Sequence, residues 1–170
     1  MKLLLVIAPE HYRDEELDEP ARAFREAGVD YDIASTASGT CTGMLGGTAE
    51  AALALDCVDP GAYAAIVVVG GAGAPGHLWK NDHLISRVRE FAAQGKVVAA
   101  ICLSPVVLAR AGLLKGRQAT VYRTDVSVRE MERGGAHLLD MPVVADMQYV
   151  TANGPAAAAA FADVILSKLE

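Results

Sequence analysis

The sequence predicts a flavodoxin-like three-layer α/β/α domain with a mostly parallel central sheet. Three observations carry this prediction. Short apolar runs at 2–8, 64–69 and 97–101 alternate with stretches of helical spacing, as expected of parallel strands covered on both faces. Glycines close the helical stretches, at Gly28, Gly95 and Gly112. The run Val97–Ile101 passes directly into Cys102-Leu103-Ser104-Pro105, an abrupt strand-to-helix turn at the strand end where open α/β sheets place their sites.

Taken in order, Lys2–Ala8 reads as a buried strand. An acidic loop follows, then a helix with Leu17, Ala21 and Phe24 on one face and Gly28 at its end. Pro20 is expected in the first turn of that helix or at a kink. Asp30–Ser35 is a second strand. Residues 38–60 hold four glycines and no long helical pattern, and read as a small hairpin insertion with Cys41 and Cys57 at its ends. Ala64–Val69 is a third strand, opening into the glycine-rich loop 70–76. Asn81 or Asp82 caps the next helix, whose apolar face uses Ile85, Val88 and Phe91 or Ala92. After Val97–Ile101 a helix runs to Gly112, with Ser104 near its cap and Pro105 in its first turn. Residues 118–122 form a strand, Asp125 caps a helix to Arg133, and Pro142–Thr151 is a hairpin. Asn153-Gly154-Pro155 turns into an Ala-rich last helix that buries Phe161, Val164, Ile165 and Leu169.

A chain of 170 residues is read as one domain spanning 1–170, long enough for a full core. Hydrophobic residues make up 52% and aromatic ones only 5%, so the core is expected from Ala, Val, Leu and Ile. A net charge of -6 without a basic run argues against a nucleic-acid or anionic-membrane partner. The amino-terminal apolar run meets Glu10, His11, Arg13 and Asp14 at once and reads as a strand, not a signal peptide. Cys41, Cys57 and Cys102 form an odd set without metal spacing. A reduced, cytoplasmic setting is expected, with no metal and no cofactor.

Cys102 is the residue on which chemistry turns. At a strand-to-helix elbow a nucleophile is lifted clear of the sheet edge, and the helix dipole is expected to lower its pKa below the usual thiol value. The same Ala/Val-rich surroundings also suit an inert core cysteine. The 70–76 loop lacks both the dinucleotide and the phosphate-loop spacing, but it offers backbone N–H groups near the elbow. No histidine adjoins Cys102; His77, in the loop after strand 64–69, is the one able to approach it. The Asp14-Glu15-Glu16 run lies after the first strand, on the same side of the sheet, and could supply a carboxyl.

These residues together resemble the DJ-1/PfpI superfamily across essentially the whole chain. The resemblance rests on Met1–Ala8, Glu16-Leu17-x-x-Pro20, Thr42-Gly43-Met44, Val69-Gly70-Gly71, Ala100-Ile101-Cys102-x-x-Pro105 and Thr151-Ala152-Asn153-Gly154-Pro155. It implies a class I glutamine amidotransferase-like fold, with Cys102 as the elbow nucleophile and Glu16 as the carboxylic acid that hydrogen-bonds its sulfur. Gly71 and Leu103 are then the backbone donors of an anion hole. The chain departs from protease-like members at Leu103, where they carry histidine, and at Gly76 beside His77, where they supply an acid. Tyr122 stands where the deglycase branch has histidine. These departures weaken a peptidase mechanism, which needs a base for the thiol and an acid for the leaving amine.

Three functions remain open at this stage. In the first, the Cys102 thiolate acts on small reactive carbonyls such as methylglyoxal, in glyoxalase III or deglycase fashion, with Glu16 as proton shuttle. The second is a non-enzymatic redox sensor or stress protein in which Cys102 is oxidised. The third is an intracellular cysteine peptidase or amidase. The partner is a small-molecule substrate or oxidant. The resemblance also implies a homodimer or larger homo-oligomer, and Trp79 with His77 is expected to shape the pocket mouth, Trp79 as an interface anchor.

Overall fold

A computed structural model describes residues 1–170. The strands are β1 (Lys2–Val6), β2 (Glu10–Tyr12), β3 (Asp30–Ser35), β4 (Gly39–Gly43), β5 (Thr48–Ala51), β6 (Leu53–Ala54), β7 (Ala65–Val68), β8 (Val97–Ile101), β9 (Gln118–Ala119), β10 (His137–Leu138), β11 (Val143–Asp146) and β12 (Tyr149–Ala152). The helices are α1 (Asp14–Glu26), α2 (Ala74–His77), α3 (Asp82–Ala93), α4 (Pro105–Arg110), α5 (Asp125–Arg133) and α6 (Ala158–Ser167). Seven strands make the central sheet in the order β11-β12-β8-β7-β1-β3-β6. Every pairing in it is parallel except β11 with β12.

Alternation along β1 divides the core. Leu4 and Val6 face one layer with Leu84, Val88 and Phe91 of α3 and with α4. Leu3 and Leu5 face the other, with Leu17, Ala21 and Phe24 of α1 and Phe161 and Ile165 of α6. The period of two in a strand produces this split. Phe24 and Phe161 are fully buried, and each contributes about 2–3 kcal/mol on an area basis.

Several sequence expectations need correction. The first strand ends at Val6, and Ile7 and Ala8 continue it as buried chain. The stretch read as an acidic loop holds strand β2, which pairs with β4, so β2, β4 and β5 form a separate small sheet. Cys41 lies buried inside β4, and Cys57 is exposed in a later turn, so neither marks a hairpin end. Pro20 sits inside α1 in its second turn, buried, and not in the first. Of the run 118–122, only Gln118–Ala119 pairs, with β10. The next amides are taken elsewhere: Thr120 N–H donates to Thr151 Oγ1 and Tyr122 N–H to the Cys102 carbonyl.

The capping assignments also shift. Asn81 caps α3 through Leu84 N–H, whereas α5 is capped by Thr124 in a reciprocal box with Ser127, not by Asp125. α4 ends at Arg110, before Gly112. Ser104 does hold the N-cap position of α4 with Pro105 opening the helix, but its hydroxyl donates to the Val69 carbonyl at 2.7 Å and makes no capping bond. In α6, Ala158 and Ala162 join Phe161 and Ile165 in the buried face, while Val164 and Leu169 are only partly covered. No helix is long and apolar enough to cross a membrane.

Candidate active site

Four segments converge at the carboxyl ends of β7 and β8. Cys102 leaves β8 in the left-handed region, with φ +64. For a residue with a Cβ this conformation is unfavourable by about 1–2 kcal/mol. It is held by its own N–H donating to Ala152 O and by Tyr122 N–H donating to its carbonyl, both at 2.8 Å. The turn points the thiol inward, and the residue is buried.

Glu16 reaches the same point from the first turn of α1 and is fully buried. Its Oε2 accepts the Gly70 N–H at 2.9 Å. Its Oε1 has no partner of regular hydrogen-bond geometry, and the Cys102 thiol engages the same carboxyl as a looser neighbour. Burial pushes the Glu16 carboxyl up to about 7, against the opposing hydrogen bonds from Cys102 and Gly70. The Gly71 and Leu103 N–H groups both face the Cys102 sulfur. Thus Cys102, Glu16, Gly71 and Leu103 come together in one place.

The thiol itself does not behave as the sequence suggested. Burial, then the Glu16 charge, pushes it up to about 12, and the two backbone donors only partly offset this. α4 is six residues long, too short for a dipole that outweighs burial. The Glu16 charge opposes ionisation of the thiol, so a thiolate is favoured only when Glu16 is protonated.

Cys102 opens onto a cleft of about 420 Å³ walled by Arg13, Met44, Ala72, Leu103, Tyr122 and Pro155. Tyr122, which stands where the deglycase branch has histidine, lines this cleft. His77 does not: its ring lies 3.3 Å from Glu10 Oε1, outside the cleft. Trp79 is buried, and its indole N–H donates to the Leu103 carbonyl at 2.8 Å. It braces the elbow from beneath and offers no surface to a partner, because its ring belongs to the apolar core and its N–H needs an acceptor there.

Arg13, Met44, Ala72 and Pro155 were not singled out from sequence as site residues. Met44 arrives through the β4–β5 turn, which is tied down by the buried Asp14. That carboxylate accepts Leu45 N–H at 2.7 Å and Gly47 N–H at 2.9 Å. The only sequence signal for this is the glycine pair, since a Cβ on Gly43 or Gly47 would fall 2.3–2.4 Å from Asp14 Oδ1. No cluster of His, Cys, Asp or Glu side chains is arranged to hold a metal ion.

The family model for the DJ-1/PfpI family matches residues 1–168. The chain belongs to that family. It is 47% identical over 169 residues to an uncharacterized protein of Methanocaldococcus jannaschii, covering 99% of this chain and 82% of that one. It is 35% identical over 156 residues to Deglycase PfpI of Pyrococcus furiosus, with 91% of each chain covered. Among solved structures, a ThiJ/PfpI domain protein from Brachyspira murdochii superposes with a TM-score of 0.93 at 31% identity, covering 99% of this chain and 95% of that one.

Proposed function

We propose that the chain is a deglycase-like enzyme that acts on small reactive carbonyls through the Cys102 sulfur, with Glu16 moving the proton. The observation that carries this reading is the pairing of a buried, strained thiol with a carboxyl whose proton is exchangeable near neutral pH. A relative named as a deglycase supports it.

In the proposed reaction the thiol proton passes to Glu16, and the sulfur attacks the aldehyde carbon. The C–S bond forms as the carbonyl π pair moves to oxygen, which takes the proton back from Glu16, giving a hemithioacetal. The Gly71 and Leu103 N–H groups stabilise the sulfur anion before attack. The apolar walls at Met44, Leu103 and Pro155 suit a small uncharged carbonyl and limit water.

A peptidase reading lacks a second acid, since His77 pairs with Glu10 outside the cleft. An oxidation-sensing role retains one supporting feature: the donors that face a thiolate would also face the oxygens of a sulfinate. The deciding experiment compares methylglyoxal loss and casein hydrolysis for wild type, Cys102→Ser and Glu16→Gln. The expected outcome is methylglyoxal loss by wild type, none by Cys102→Ser, and about a hundred-fold less by Glu16→Gln. Casein hydrolysis without methylglyoxal loss would reverse the assignment, and no turnover of either would leave only the sensor.

A further inference from the structure

The turn between β4 and β5, residues 44–47, is exposed along its whole length, so no apolar burial holds it against the body of the protein. Its anchor is a buried carboxylate. We propose that Asp14 is a positioning residue for substrate selection: it holds this turn so that Met44 stands as the wall limiting the size of the group a substrate brings to the Cys102 sulfur. As a statement about substrates, this rests on the reading of Cys102 as a carbonyl-directed thiol.

The first support is the carboxylate itself. Asp14 is 7% exposed and belongs to no ion pair. Burying an unpaired charge is costly unless hydrogen bonds satisfy it. Both of its oxygens are taken by the turn, Oδ2 by Leu45 N–H and Oδ1 by Gly47 N–H. The turn is shaped to admit the group: Gly43 N–H donates to Gly47 O at 2.8 Å and closes the loop around it, and neither glycine has room for a Cβ beside it. These bonds join no two strands of the central sheet. What they fix is the turn.

The second support is what the turn delivers. Met44 N–H donates to Tyr12 O at 2.8 Å, and its Sδ accepts the Ala72 N–H at 3.3 Å. A side chain that is ordinarily adaptable is thus pinned at both ends. Ala72 follows Gly71, whose N–H faces the Cys102 sulfur. Met44 is 40% exposed and also lines the space that opens onto Cys102, which places it at the rim of the cleft. Asp14 and Glu16 stand two residues apart in the first turn of α1 and so point to different sides. Glu16 goes to the sulfur and Asp14 to the turn, so one helical turn sets both the reacting end of the cleft and its width.

Two measurements test this. In the first, Cys102 is alkylated by iodoacetamide and by N-benzyliodoacetamide and its peptide is quantified by mass, with the exposed Cys57 of the same molecule as the reference for reagent reactivity. Wild type is expected to favour the small reagent at Cys102 by about tenfold or more, and Met44→Ala to cut that ratio to about two. Met44→Leu keeps the bulk and is expected to preserve the ratio. Asp14→Asn, which leaves one acceptor oxygen in place of two, is expected to lower the ratio as Met44→Ala does. In the double variant it should add nothing further, because it acts through Met44. No size preference in wild type, an unchanged ratio in folded Asp14→Asn, or additive effects in the double variant each overturn the proposal. Should Asp14→Asn not fold, Gly46→Ala replaces it: this change strains the same turn, at φ +89, with open space around the new methyl. An unaltered ratio there overturns the proposal equally.

In the second, initial rates give kcat and KM for methylglyoxal and phenylglyoxal. Met44→Ala and Asp14→Asn are expected to raise the phenylglyoxal-to-methylglyoxal ratio of kcat/KM about tenfold, mainly through KM for phenylglyoxal. Relaxed size selection in alkylation by both variants, without turnover of either aldehyde by wild type, would uphold the wall while rejecting the carbonyl chemistry at Cys102. Turnover of both aldehydes in a ratio that neither variant alters would do the reverse.

Discussion

Two turns leave neighbouring strands at the same end of the sheet, and they meet one steric problem in opposite ways. After β7 the chain uses Gly70 and Gly71. A Cβ on Gly70 would lie 2.5 Å from Cys102 Cβ and 2.6 Å from Glu16 Oε2. Gly71, at φ +115, would place one 2.5 Å from Arg13 N and His11 O. After β8 the chain also turns left-handed, at Cys102, but keeps its side chain. The first turn is emptied so that the second can be filled.

The strain at Cys102 persists because its surroundings over-determine it. Backbone bonds to Ala152 and from Tyr122, the Ser104 hydroxyl on Val69 O and the Trp79 indole on Leu103 O fix both sides of the elbow. His11 and Met147 also have positive φ, at 57 and 55, but both are exposed. Positive φ alone does not mark a site; burial together with tethering does.

The sharpest way to break this contrast is to fill the empty turn. Gly70→Ala is expected to lower unfolding free energy by about 3 kcal/mol, because the new methyl meets backbone and a buried carboxylate that cannot withdraw. Urea unfolding measures it, and a loss below about 0.5 kcal/mol would mean that the two turns are not closely packed.

A pH series on Glu16→Gln gives the next largest effect. The folded Glu16 carboxyl is pushed up to about 7 from 4.5, so its contribution to stability is fully present below the unfolded value and is lost as pH rises through about 7. The stability of wild type relative to Glu16→Gln should therefore fall by about 2–3 kcal/mol between pH 4 and pH 8. A difference that stays flat, or that rises with pH, contradicts the burial of an uncompensated carboxyl beside Cys102.

The smallest effect concerns the brace. Trp79→Phe retains the ring and deletes the indole N–H, and should cost about 1 kcal/mol. It should also change the rate of Cys102 alkylation, because the Leu103 segment bears a donor to the sulfur. Unchanged alkylation would reduce Trp79 to a packing residue.

What the sequence by itself determined is local. β3 occupies the very residues read as a strand, Asp30–Ser35, and β8 the run Val97–Ile101, because alternation and apolar continuity are properties of neighbours along the chain. The layer order follows from the same periodicities, and Cys102 stood out because a strand stopped there. Tertiary structure decided the rest. Trp79 became a brace only when the chain following α2 set its indole N–H on the Leu103 carbonyl. The strand read at 118–122 shrank to two residues because Thr151 and Cys102 claimed the following amides. The thiol pKa is raised, not lowered, because burial depends on everything packed around the sulfur, whereas a helix dipole is read from a few adjacent residues. A sequence records spacing along a chain, but solvation and hydrogen-bond partners at this elbow come from segments as far apart as Glu16, Gly71 and Ala152.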